Sequence, residues 1–144
     1  TLISVNDNWE AYKEKEGGKL ICYMGSTPIK KHGNYKKRGK TYLLVTHRPS
    51  EKSSDVVSIS AGYTFKKNSL AWIIIGKKRT ELFTRNKHAF AYDAETDRKL
   101  VSSMIRGKTM VFKGVSSRGT LTTDTYSLTG FTAAYRSITK ACKS

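Results

Sequence analysis

"IIIGKKRTELF" (residues 73–83) places two apolar runs on either side of Gly76 and Lys77. Isoleucine, threonine and phenylalanine carry bulk close to the backbone and favour extended conformations. A glycine, which tolerates positive φ, suits a tight hairpin turn between them. The stretch therefore predicts two antiparallel strands, and the rest of the chain keeps the same rhythm. "LICYM" (20–24), "TYLLVTH" (41–47), "DVVSISAGYTF" (55–65), "AWIII" (71–75) and "KTMVFKG" (108–114) are rich in β-branched and aromatic residues and bounded by Gly, Pro, Asn or Ser. No internal repeat or low-complexity linker interrupts them. The 144 residues suit a single domain, 1–144, with a core of its own.

Two segments break the strand pattern. In "DAETDRKLVSSMIRG" (93–107), Leu100, Val101, Met104 and Ile105 recur at helical spacing, acids occupy the first turn, and Arg106 and Gly107 close it. This predicts a short helix near 95–106. Leu128, Phe131, Tyr135, Ile138 and Cys142 are spaced by 3, 4, 3 and 4 and share one helical stripe, so a helix near 129–142 should pack on the core. Ser127 or Thr129 stands where its N-cap is needed.

Lysine and arginine number 27 against 11 acids, a net charge of +16 that draws anions from a distance. Nineteen of the 27 are lysines, which supply a diffuse field and lack the planar fork of arginine. The densest cluster is "IKKHGNYKKRGK" (29–40), with Gly33 and Asn34 suited to a turn and Gly39 to the loop's end. Lys30, Lys31, Lys36, Lys37, Arg38 and Lys40 are read as an anion-binding tip for anionic host-cell glycans, acidic lipids or lipopolysaccharide. The plainer alternative is a solvated loop that aids solubility. Nucleic-acid binding has only the charge behind it: there is no zinc finger, no RNP-like aromatic motif and no basic helix face, and Tyr35 alone is a weak stacking signal.

Catalytic and metal signatures are missing. Asp93, Glu95 and Asp97 alternate as in a calcium loop, but Arg98 stands where an EF-hand needs glycine and Met104 where it needs glutamate, so the acids read as helix-start charges. His32, His47 and His88 lie in separate segments and read as surface or edge residues. No HExxH, GxSxG, P-loop or GxGxxG pattern occurs. "RGTLTTDTYSLTG" (118–130) is dense in hydroxyls around Asp124, which keeps a hydrolase or sugar-active enzyme as the alternative function. A structural role is expected instead. No cofactor is implied. The longest apolar run, Ala71 to Ile75, is far too short for a bilayer span of about 20 residues. The chain opens at Thr1, and a cleaved signal peptide is one expectation.

Cys22 lies in an apolar strand and Cys142 on the buried stripe of the last helix, so the two can meet. They are either a disulfide, as an exported protein can keep, or two buried thiols.

Taken in order, Trp9, "GGKLICYM" (17–24), "GNYKKRGKTYLLVTHRP" (33–49), "SISAGYTF" (58–65), "DRKLVSSMIRGKTMVFKG" (97–114) and "SSRGTLTTDTYSLTGFTAAYRSITKAC" (116–142) resemble the invasion-associated locus B (IalB) family of exported bacterial proteins. The resemblance is most specific in the last third, through Arg118, Gly119, Asp124, Tyr126, Ser127, Leu128, Gly130, Phe131, Ala134 and Cys142. It implies an immunoglobulin-like β-sandwich of antiparallel strands. It also implies a periplasmic, cell-surface or secreted location and a role tied to host-cell invasion or the envelope, and it supplies no catalytic or ligand residues to carry over. A Cys22–Cys142 bond fits that location.

Overall fold

The structure, a computed structural model, describes residues 1–35 and 38–143. Among these residues the strands are β1 (Leu2–Asn6), β2 (Trp9–Glu16), β3 (Lys19–Ser26), β4 (Lys30–His32), β5 (Tyr42–Arg48), β6 (Ser53–Ser60), β7 (Leu70–Ile75), β8 (Lys78–Arg85), β9 (His88–Phe90), β10 (Thr109–Val115) and β11 (Leu121–Ser127). Two α-helices, α1 (Ala94–Arg106) and α2 (Phe131–Cys142), complete the fold. The hairpin expected from residues 73–83 is β7–β8, with Ile75 opposite Lys78 across the Gly76–Lys77 turn.

All strand pairs are antiparallel, and their lateral order is β1-β2-β3-β5-β6-β9-β8-β7-β10-β11-β4. The sheet is folded over on itself. In a flat sheet the eight steps from β2 to β11 would span about 38 Å, yet Trp9 Nε1 of β2 donates to the Ser127 carbonyl of β11 at 2.9 Å. The first five strands and the last six therefore face one another as the two layers of a β-sandwich-like fold. Alternate residues of both layers fill one core, among them Met24, Leu43, Val45 and Ile59 from one and Ile73, Leu82, Met110 and Phe112 from the other.

The helices follow the sequence stripes with local corrections. Leu100, Val101 and Met104 of α1 are buried as expected, but Ile105 faces solvent and Asp97 is buried. Asp93 caps α1, its carboxylate accepting from the Thr96 amide at 2.8 Å. In α2, Phe131, Ala134, Ile138 and Cys142 are buried and Tyr135 only half so. The expected Ser or Thr cap is not used there: Gly130 occupies the N-cap at φ +91°, and a Cβ at that site would stand 1.9 Å from the Asn6 carbonyl oxygen. Only glycine allows β1 to approach so closely. Cys142 at the end of α2 is bonded to Cys22 in β3, with Cα atoms 6.1 Å apart. No helix among the described residues is long and apolar enough to cross a membrane.

Candidate functional site

The basic segment at 29–40 is not one projecting loop. Lys30, Lys31 and His32 form the short edge strand β4, paired to β11 through Thr125, Asp124 and Thr123. Both lysines and Lys40 are exposed. Lys36 and Lys37 lie outside the described residues. Arg38 corrects the expectation most sharply, because its side chain is only 9% exposed and turns inward. Its Nη1 and Nη2 donate to Asp124 Oδ1 and Oδ2 at 2.7 and 2.6 Å, and its Nε donates to the Ala61 carbonyl at 2.8 Å. The Tyr63 ring lies alongside, its centroid 5.1 Å from the guanidinium carbon. Arg38 is thus an internal clamp between the approach to β5, the end of β6 and β11.

The same contacts dispose of Asp124 as a reactive carboxylate. It is fully buried with both oxygens held by Arg38, so no substrate can reach it. The hydroxyl-rich stretch around it is mostly strand β11, whose side chains alternate between the core and the outer surface. Thr122 faces inward and shares a 2.6 Å hydrogen bond with the Tyr63 hydroxyl. Burial raises the Tyr63 pKa, which keeps that phenol neutral.

Above the clamp, Tyr35 stacks on Tyr63 with centroids 5.4 Å apart. The stack borders an open cleft of about 620 Å³ that also meets Asn34, Lys87, Ser117 and Arg118. Lys87 and Arg118 are exposed, and none of Lys30, Lys31, Lys40, Lys87 and Arg118 makes an ion pair among the described residues. The cleft therefore combines an aromatic wall with free cations, which suits an acidic, ring-bearing or sugar-like group. Four separate segments build it, and no sequence spacing announces it.

His47 is the second correction. It is not an edge residue but is 1% exposed in the core beside α2. The Asp55 amide donates to its Nδ1 at 3.1 Å, and its Nε2 meets Thr139 Oγ1 at 3.0 Å. Burial lowers the imidazole pKa against the opposing pull of the Asp55 carboxylate, so the ring is neutral. With Nδ1 accepting, the proton sits on Nε2. The ring then donates to Thr139 and cannot take its proton, so the trio lacks the arrangement of a nucleophile and its base. Nearby, the Tyr135 hydroxyl donates to Asp55 Oδ1 at 2.7 Å, and burial pushes its pKa up to about 12. Among the described residues no group of His, Cys, Asp or Glu gathers as a metal site.

The model of the invasion associated locus B (IalB) protein family matches residues 9–139, nearly the full chain. The chain belongs to the IalB family. Among solved structures, the IalB fold matches the crystal structure of invasion associated protein B from Bartonella henselae with a TM-score of 0.69, covering 99% of this chain and 97% of that one. The two sequences share only 13% identity, so this likeness concerns the IalB fold alone. No curated protein sequence matches this IalB-family chain.

Proposed function

We propose that this protein is a noncatalytic, exported member of its family that binds anionic groups on host-cell or bacterial-envelope surfaces. One observation carries the reading: on a chain of charge +16, Lys30 and Lys31 stand exposed on an edge strand, and neither pairs with a carboxylate among the described residues. A strand holds cations at fixed spacing, which lowers the ordering entropy lost when anions bind. Lys40, together with Lys87 and Arg118 at the cleft, adds to the field. The Cys22–Cys142 bond suits an oxidising compartment such as the periplasm or the exterior. A hydrolytic role is disfavoured by the engaged Asp124 and the donor tautomer of His47.

The experiment is binding to immobilised heparin as a polyanion, with Lys30, Lys31 and Lys40 all changed to Ser and Arg38 retained. The triple variant should elute earlier on a salt gradient, with affinity reduced on the order of tenfold at low salt. Its melting temperature should stay close to that of the parent, because exposed charges add little stability. Equal retention of parent and variant would show that these lysines only keep the protein soluble.

A further inference from the structure

The layer formed by β9, β8, β7, β10, β11 and β4 has an outer face that no helix among the described residues covers. Residues opposed across antiparallel strands lie on one side of the sheet, so the register gives this face row by row. One row runs Arg79, Ile74, Val111, Thr125, Lys30. The next runs Glu81, Trp72, Lys113, Thr123, His32. A third holds Leu70, Phe83 and Phe90, with Tyr92 packed on Phe83 at 5.5 Å between centroids. Leu121, 72% exposed, stands opposite Val115.

Large apolar side chains thus occupy the middle of the face while Arg79, Arg85, Lys113 and Lys30 stand among and around them. Glu81 is the one acid in these rows, and it accepts from the Tyr92 hydroxyl at 2.8 Å. The basic edge strand β4 is the margin of this same surface.

We propose that this face docks onto an acidic phospholipid bilayer, with the side chains around Trp72 entering the interface and the flanking cations holding lipid phosphates. The inference rests on the reading that the chain engages anionic surfaces, and it adds an apolar component to it. Charge complementarity selects this occupant. A second copy would press Arg79, Lys113 and Lys30 against their own equivalents. A sugar would need an open ring to stack on, but the Arg79 guanidinium already covers Trp72, 4.0 Å from the ring centroid. In mid-layer the backbone groups are paired within the sheet, so an added peptide strand finds no partners there. Aromatic rings mixed with arginine and lysine are the composition that settles at the boundary between headgroups and acyl chains.

The chain carries its own reporter. Of its two tryptophans, Trp9 is fully buried and Trp72 lies on this face. Vesicles of phosphatidylcholine with about a third phosphatidylglycerol, with and without bromine on the acyl chains, should be titrated into the protein at about 0.15 M salt. Brominated lipid should quench Trp72, and a Trp72→Phe variant should show no quenching. Changing Leu70 and Leu121 together to Ser, both exposed, should lower vesicle partition on the order of tenfold and leave heparin retention unchanged. Vesicle binding without Trp72 quenching, unaffected by the leucine changes, would overturn the apolar contact while leaving the charge reading intact. Heparin binding with no vesicle binding would do the same. Loss of both would overturn both readings, and binding to poly-glutamate but not to vesicles would reassign the face to an acidic protein partner.

Discussion

Arg38 and Asp124 are separated by 86 positions, and each is the other's only ionic partner among the described residues. Read as part of a surface loop, Arg38 would be dispensable; read as a structural residue that caps or anchors the hydroxyl-rich joint, Asp124 would cost about 0.5–2 kcal/mol on change to Ala. The buried bidentate pair changes both expectations. Removing either side chain strands a charge inside the protein, so Asp124→Ala or Arg38→Ser should each destabilise by about 3–5 kcal/mol in denaturant unfolding. Replacing both at once, Arg38→Met with Asp124→Leu, should be milder than either single change. A double variant as unstable as the sum of the singles would show that the pair matters for more than mutual neutralisation. Asp97 carries a different signature. Burial raises its pKa to about 6 against the Val57 amide that donates to Oδ1 at 3.0 Å. A raised carboxylate adds stability that is fully present below its unfolded pKa, near 4, and is lost as pH rises through 6. Asp97→Asn should therefore leave stability little changed near pH 4 and increase it by about 1–3 kcal/mol at pH 7.5. His47 works in the opposite sense, since its lowered pKa gives stability that is present above its unfolded value near 6.5 and lost on acidification. The Asn variant should expose that loss as a steeper decline below pH 6.5. An equal stability change at every pH would remove Asp97 from the account.

At the scale of elements, α2 is held by two independent means. Its apolar stripe packs on β2 and β3, with Phe131 edge-on to Trp9 at 4.9 Å, and its last turn is bonded to β3 through Cys142 and Cys22. The bond closes a sequence separation of 120 residues. Loop entropy then assigns it about 4–5 kcal/mol, so reduction should lower the melting temperature by about 10–20 °C while the buried stripe keeps the helix in place. An unchanged melting point after verified reduction would mean that the unfolded chain gains nothing from release. Both helices and the β7–β8 hairpin could be read in advance because local rules govern them: a 3.6-residue stripe, an acidic first turn, a glycine turn between apolar runs. The edge strands could not. β4 is short, polar and exposed, and its strand character comes from pairing with β11 rather than from its own composition; β1, though it carries Leu2, Ile3 and Val5, is only five residues long and largely exposed, and pairing with β2 places it. Gly130 took the N-cap from Ser127 and Thr129 because the close approach of Asn6, more than 120 positions away, left no room for a side chain. The cleft beside Tyr35 and Tyr63 was hidden for the same reason, being assembled from residues near 35, 63, 87 and 118.

The molecule as a whole carries its charge in two ways. Inside, one arginine is neutralised by one aspartate; beyond that pair, 26 basic residues (27 less Arg38) face 10 acids (11 less Asp124). Composition announced the excess but not its distribution. It could not separate Arg38, which is clamped, from Lys30, which has no ionic partner among the described residues, or reveal that β4 borders the apolar outer face. Surface cations crowded on a small fold repel one another in the folded state more than in the expanded chain, and they also draw the protein to anions. Salt screens both effects, with a Debye length falling from about 30 Å at 0.01 M to about 10 Å at 0.1 M. The two observables should then move in opposite directions. Between those salt concentrations the melting temperature should rise by a few degrees as self-repulsion is screened, while retention on heparin falls. The Lys30, Lys31 and Lys40 to Ser variant should show a smaller dependence on salt in both measurements, because the same side chains contribute to both. A melting temperature that falls with salt in the parent would mean that attractive ion pairs such as Arg48 with Glu16 and Lys99 with Glu95 dominate the surface. The excess positive charge would then be organised by its acids, with too little free cation left to recognise an anionic surface.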